Sequence, residues 1–177
     1  MRTIVLGDRP DELAELIDRR RATGADLHDE VWNGEYHMAP SLRKRHALLE
    51  VRLAVMLTPL ADRCGLHVSG SFNLGTSEDY RVPDLGVHRD DTDATFVASA
   101  ALVFEVVSPD DETSAKLLFY AAQGVDEVAI ADPVARSFTW LSRDGAGYRP
   151  VAHSAVLDID VQEVGNEIVW PPVSDAS

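Results

Sequence analysis

Cysteine is almost missing from this chain: Cys64 is the only one in 177 residues. That excludes an intrachain disulfide and any multi-cysteine zinc site, and leaves Cys64 a packing role near a helix end. Long apolar runs are missing too. None approaches the roughly 20 residues needed to cross a bilayer, and the opening MRTIVLGDRPDEL is too acidic and too poor in apolar residues for a secretory signal. The expectation is a cytoplasmic protein with no membrane segment. Positive charge is scarce, with 16 Lys and Arg against 30 Asp and Glu and a formal net charge of −14. That is the wrong sign for nonspecific gripping of phosphate backbones. The cations that exist are regional: Arg19, Arg20, Arg21, Arg43, Lys44, Arg45 and Arg52 come early, and Arg149 is the only Lys or Arg from Gly145 onward. Several motifs are also lacking. There is no G-x-S-x-G elbow, and neither Ser71 nor Ser108 has a motif that pairs it with a histidine. The six histidines show no H-E-x-x-H spacing. The stretch GSFNLGTSEDYRVPDLG resembles the opening of a nucleotidyltransferase site, but that site needs a second carboxylate where Gly86 stands.

What is present suffices for one well-filled domain over 1–177, with 45% hydrophobic residues. Leu13, Leu16 and Ile17 recur at helical spacing after Pro10, and Gly24 can end that element, which predicts a helix over about 10–23. LHDEVWNGEYHM, with Asn33-Gly34 at its centre, predicts a hairpin. Ser41 offers an N-cap for a long amphipathic helix ending near Gly65. Strands follow in LHVSGSFNL, VPDLGVHR and ALVFEVVS, separated by the polar loops TSEDYR and DDTD. A short helix, SAKLLFYAAQG, closes at Gly124. The strands DEVAIAD, RSFTWLS, YRPVAH and EIVW complete the chain. The order suggests an α/β (α+β) sandwich around a mixed sheet.

Two acids stand out. Glu105 interrupts LVFEVVSP, a strand with no polar side, where an uncompensated carboxylate costs several kcal/mol as an order of magnitude. A structural salt bridge is one reading, and a functional site the other. Asp84 follows a proline at the start of an apolar strand, a place where an aspartate often ends a turn. Lys116 lies on the following helix in line with Tyr120 and Gln123, a stripe that a solvated face or a site would explain equally. Taken together, two acids on adjacent strands and a lysine on the next helix suit a shared Mg2+ and the hydrolysis of a phosphodiester. The cations of RKRH, at 43–46, oppose the dipole of the helix they open. Either a nucleic acid or the chain's own acidic surplus can meet them.

The runs NGEYHMAPS, RVPDLGV and LVFEVVSP, with AKLLFYAAQGVDEVAIADP after them, resemble the Uma-type restriction endonucleases of the PD-(D/E)XK nuclease superfamily over about residues 26–150. The resemblance implies a restriction-endonuclease-like core, a central mixed β-sheet flanked by helices, with an N-terminal helix before it and C-terminal strands after it. It implies a homodimer acting on nucleic acid, DNA first of all, with Mg2+ or Mn2+ as cofactor. Asp84 and Glu105 would be metal-binding acids, and Lys116 a lysine moved onto the helix because Val107 takes its usual strand position. Glu35 would be a further acid at the metal, and His46 a histidine of the long helix at the catalytic centre. The chain departs from the family in the loop before Lys116, which carries Asp110, Asp111 and Glu112 where relatives often place small or basic residues. A folded relic that dimerises or binds a partner without cutting is the alternative to an enzyme.

Overall fold

A computed structural model describes residues 4–5 (backbone only), 11–41, 43–108 and 113–172. The expectations placed on Pro10, on Pro109 and on 110–112 lie outside the described residues. In chain order the elements are β1 (Ile4–Val5), α1 (Asp11–Thr23), β2 (Glu30–Trp32), β3 (Glu35–His37), α2 (Lys44–Arg63), β4 (His67–Ser69), β5 (Asn73–Thr76), β6 (Asp79–Arg81), β7 (Leu85–His88), β8 (Phe96–Val97), β9 (Leu102–Val106), α3 (Thr113–Ala122), β10 (Glu127–Asp132), β11 (Ser137–Asp144), β12 (Gly147–Pro150), β13 (His153–Ser154), β14 (Ile159–Asp160) and α4 (Val161–Glu167).

The strands form two six-stranded sheets and a small ribbon. One sheet runs β12-β11-β10-β9-β7-β4 and is mixed, because β9 and β10 are parallel while its other pairs are antiparallel. The parallel pair needs a crossover, and α3 supplies it. The second sheet runs β1-β3-β2-β6-β5-β8. It contains the predicted hairpin, in which Asn33 and Gly34 take φ of 50° and 86°, as a two-residue turn matched to strand twist requires.

Each helix is held by the apolar stripe visible in its sequence. On α2, Leu49, Leu53, Leu57 and Ala61 are buried against Leu85, Leu102, Phe104 and Val106. Each such leucine contributes about 1.5–3 kcal/mol when removed from water. On the other face of the same strands, Val103 and Val128 pack with Tyr120 of α3 and Leu74 of the second sheet. Strand β9 is therefore buried on both faces, as its composition predicts. Helix α1 packs Ile17 on Val31 and Tyr36, and Arg20 locks it there by two 2.7 Å hydrogen bonds to Asp29.

Three local expectations need correction, and one open reading is decided. Ser41 does not cap α2: the helix begins at Lys44, and Arg43 stands at the N-cap without a side-chain hydrogen bond. TSEDYR is not only a loop, since its second half is β6, paired with β5 and β2. EIVW is no strand. The chain there leaves α4, whose N-cap Asp160 accepts from the Gln162 amide at 2.7 Å, and Ile168 turns into the core beneath α2. The Lys116 stripe is not a solvated face, because Lys116 and Tyr120 are both buried while Leu118 is exposed.

Candidate active site

Strand alternation points Val103 and Glu105 of β9 toward α3, while Leu102, Phe104 and Val106 point toward α2. The antiparallel register of β7 with β9 pairs Leu85 with Phe104, and one step further along it sets Asp84 opposite Glu105. Gly86 leaves this strand bare of a side chain where a Cβ would stand 2.4 Å from the Phe72 ring and 2.5 Å from His88. The acids thus meet at the end of β7, in the layer between α2 and α3.

Two hydrogen-bonded groups face each other there. In the first, Lys116 Nζ lies 2.8 Å from Glu30 Oε1 and 3.3 Å from Glu105 Oε1. The Tyr120 hydroxyl, one turn along α3, donates to the same Glu105 oxygen. Glu30 is held further by the Val82 amide at 2.9 Å and the Trp32 indole N–H at 2.6 Å. In the second group, His46 Nε2 lies 3.0 Å from Asp84 Oδ1 and 3.2 Å from Glu50 Oε1. The other oxygen of Asp84 accepts from the Val106 amide at 2.6 Å.

The electrostatics follow from burial and crowding. Burial pushes Glu105 up to about 7; the Lys116 charge and the Tyr120 hydrogen bond oppose that push, and Asp84 and Glu30 add to it. Burial also works against the Lys116 ammonium, but Glu105, Glu30 and Asp84 outweigh it and hold the lysine above its ordinary value. Tyr120 is raised well above its usual range, first by burial and then by the same acids. Burial would lower His46, yet its hydrogen bonds to Asp84 and Glu50 carry it to about 10. Asp84 is held below the usual carboxylate value, because His46 and the Val106 amide overcome the effect of its burial. Among the described residues, when all are ionised, the carboxylates of Glu30, Glu50, Asp84 and Glu105 are met in ion pairs by Lys116 and His46, a surplus of two negative charges. A divalent cation would neutralise it, and the donor set of carboxylates with one imidazole suits such an ion.

The structure therefore brings together Asp84, Glu105, Lys116 and His46. It does not bring Glu35 to them. That residue shares a sheet face with Glu30 but stands at the hairpin tip, its side chain 38% exposed and its Oε2 3.9 Å from His37 Nε2. Among the described residues, the acid of this hairpin that touches Lys116 is Glu30. Sequence reasoning missed Glu30 and Glu50. For Glu50 a signal existed, since it stands four residues after His46 and so one turn away on the same helix face. Ser108 also finds a histidine that no motif announced: its Oγ lies 3.0 Å from His46 Nδ1. Ser108 and Asp84 contact opposite nitrogens of His46, and the acids on Nε2 hold the imidazole above its ordinary value, which disfavours it as a base toward Ser108. The contact orients the ring.

A family model described as "Putative restriction endonuclease", Uma2, matches residues 11–167. The chain belongs to the Uma2 family. The matched span reaches beyond 26–150 at both ends, and takes in α1 and α4 as well as the core. No match was found among curated proteins. Among solved structures, the chain is similar to a putative nuclease belonging to DUF820 from Anabaena variabilis ATCC 29413, with a TM-score of 0.63 and 12% identity over 80% of this chain and 91% of that one. At that identity the likeness shows the fold, a nuclease fold with mixed sheets and flanking helices. No helix among the described residues is long and apolar enough to cross a membrane.

Proposed function

We propose that this Uma2 chain is a metal-dependent endonuclease that hydrolyses phosphodiester bonds of DNA in the cytoplasm and works as a homodimer. The observation that carries this reading is the convergence of Asp84 and Glu105 on adjacent strands with the buried ammonium of Lys116. Asp84 and Glu105 would hold Mg2+ or Mn2+, which supplies Lewis acidity toward the scissile phosphate and its attacking water when bound. Lys116 keeps its proton, so it serves as a fixed positive charge: it orients the water by donating a hydrogen bond and stabilises charge that grows on a phosphate oxygen. Glu30 fixes that ammonium from the far side and takes the place that the resemblance gave to Glu35. His46 positions Asp84. Arg43 and Lys44, exposed at the start of α2, lie in sequence just before His46 and can meet the backbone of a nucleic acid despite the negative total. A two-fold pair of domains matches the two antiparallel strands of a duplex.

The test is cleavage of supercoiled plasmid, single-stranded DNA and RNA with Mg2+, Mn2+ or chelator, with Asp84→Asn beside the unmodified protein. Cutting of DNA that needs the metal and disappears in the variant is the expected result. No cutting of any of the three with either metal would leave a nuclease-like domain that binds without cleaving.

A further inference from the structure

Helix α2 has a second apolar side. Its first, made of Leu49, Leu53, Leu57 and Ala61, lies in the core. On the opposite side Val51 and Val55 are 62% and 70% exposed, and Val169, on the chain that leaves α4, is 61% exposed. A groove of about 610 Å³ runs between the two segments, lined by Val51, Val55, Pro59 and Val169 with Arg52 and Arg63 among them. Arg52 fixes its width by donating to the Val169 carbonyl at 2.7 Å. A surface helix ordinarily turns a polar face to water, and exposed apolar side chains grouped on one face mark a contact surface.

The ends of that face carry opposite charges. Lys44 stands in the first turn of α2 and Asp62 in the last, both exposed. They are about five turns apart, so Lys44, Val51, Val55 and Asp62 fall within about 20° of one line along the helix. Each charge is at the wrong end of its own helix, because a cation at the N-terminus and an anion at the C-terminus oppose the dipole. Among the described residues neither has an ion-pair partner. A second α2 laid antiparallel on this face, with Val51 opposite the partner's Val55, brings Lys44 to the partner's Asp62, and two-fold symmetry repeats the contact. Each charge then lies beside a helix end that favours it, Lys44 at the partner's C-terminus and Asp62 at the partner's N-terminus. A parallel pair would set lysine on lysine and aspartate on aspartate.

We propose that the outer face of α2, from Lys44 to Asp62, is the surface on which a second copy of this chain pairs, antiparallel, with Val51 and Val55 at its centre and Val169 at its flank. It rests on the homodimer of the function proposed above and assigns its interface. Lys44 goes to the partner, and Arg43, which precedes the helix, is left for a nucleic acid. That register sets His46 level with the partner's Leu60, so the two sites stand about 21 Å apart along the paired helices.

The test is the mass of the full chain in solution, by light scattering after size exclusion over a range of concentrations. The samples are the unmodified protein, Val55→Asp, Lys44→Glu, Asp62→Lys and an equimolar mixture of the last two. A dimer is expected. Val55→Asp should weaken it at least about thirtyfold, as an acid at the centre of an interface does. Lys44→Glu alone and Asp62→Lys alone should each weaken it about tenfold, since like charges then meet at both ends of the pair. Their mixture should recover to within about threefold of the unmodified protein, because one copy of each restores both opposite-charge contacts. Both charge variants suit the dipole of the isolated helix better than the original residues do, so circular dichroism should show them folded. They and their mixture decide the matter if Val55→Asp has not folded. A dimer indifferent to Val55→Asp, or a mixture that pairs no better than either variant alone, overturns this interface while the homodimer stands. A monomer at every concentration overturns both and leaves the face to a different protein. Plasmid cleavage by the same samples decides the nuclease reading separately.

Discussion

Glu105 and Glu127 are buried glutamates on the neighbouring parallel strands β9 and β10, 4% and 1% exposed, and they are met in opposite ways. Among the described residues, no cation forms an ion pair with Glu127. Its oxygens accept from the Trp140 indole at 2.8 Å, the Ser154 hydroxyl at 2.5 Å and the Ala155 amide at 2.8 Å. These are neutral dipoles, and they tie the segment after β12 to the central sheet. Glu105 has one strong cation, Lys116, and shares it with Glu30 while Asp84 presses from the neighbouring strand. Burial alone therefore does not mark a functional acid. What separates the two is crowding by like charge, which a structural carboxylate avoids and a cation site requires.

The largest expected effect is on chemistry. Glu105→Gln should lower metal-dependent DNA cleavage by at least about 100-fold, or roughly 2.7 kcal/mol in the barrier, while Glu127→Gln should leave residual cleavage per folded molecule within a few-fold; rates normalised to active folded protein decide it. The effect on stability should run the other way. Glu127→Ala leaves an indole, a hydroxyl and an amide without their acceptor, at about 3 kcal/mol in all. For a chain of this size that lowers the thermal midpoint by about 6–12 °C, as calorimetry would show. Equal losses of midpoint in Glu105→Gln and Glu127→Ala would remove the distinction.

A pH series sharpens the same contrast. Burial holds Glu105 at about 7 in the folded protein against 4.5 ordinarily. A carboxyl with a raised folded value contributes stability that is whole below about 4.5 and is lost as pH climbs through about 7, because the folded state binds the extra proton. His46, raised to about 10 from 6.5, contributes stability that is whole below 6.5 and declines from there upward, so above about 6.5 it adds to the fall in both proteins and the comparison between them is read below that pH. Urea midpoints between pH 4.5 and 7.5 in chelator should therefore fall with pH in the unmodified protein and fall less steeply in Glu105→Gln. The smallest effect is expected from Glu35→Gln, which should keep cleavage within about twofold, since the hairpin tip reaches none of the other acids; a loss comparable to that of Glu30→Gln would restore Glu35 to the centre.

Asp84, Glu105 and Lys116 were legible in the sequence because each interrupts an apolar pattern that a fold would otherwise keep. Glu30 was not, because in HDEVWNGEYH it is one acid among several. Only the hairpin register and the approach of α3 decide that Glu30 and not Glu35 meets Lys116. Helices α1, α2 and α3 and the strands β7, β9, β10 and β11 followed from periodicity, whereas α4 did not. The second sheet did not, since its parallel pair β5 and β8 brings together segments more than twenty residues apart in short, weakly patterned strands. EIVW reads as a strand by composition, and tertiary packing of Ile168 under α2 overrides it.

Crowding of Glu30, Asp84 and Glu105 around one lysine is what a cation site requires and the fold does not. Thermal midpoints of the unmodified protein, Glu105→Gln and Glu127→Gln, each in chelator and in saturating Mn2+, test it most directly. Binding to the folded state alone adds about 2.7 kcal/mol at a hundredfold excess over Kd. Mn2+ should raise the midpoint of the unmodified protein and of Glu127→Gln, and Glu105→Gln should match or exceed the unmodified midpoint in chelator but gain much less from Mn2+. A Glu105→Gln midpoint that falls in chelator as far as that of Glu127→Gln, with the gain from Mn2+ undiminished, would contradict it.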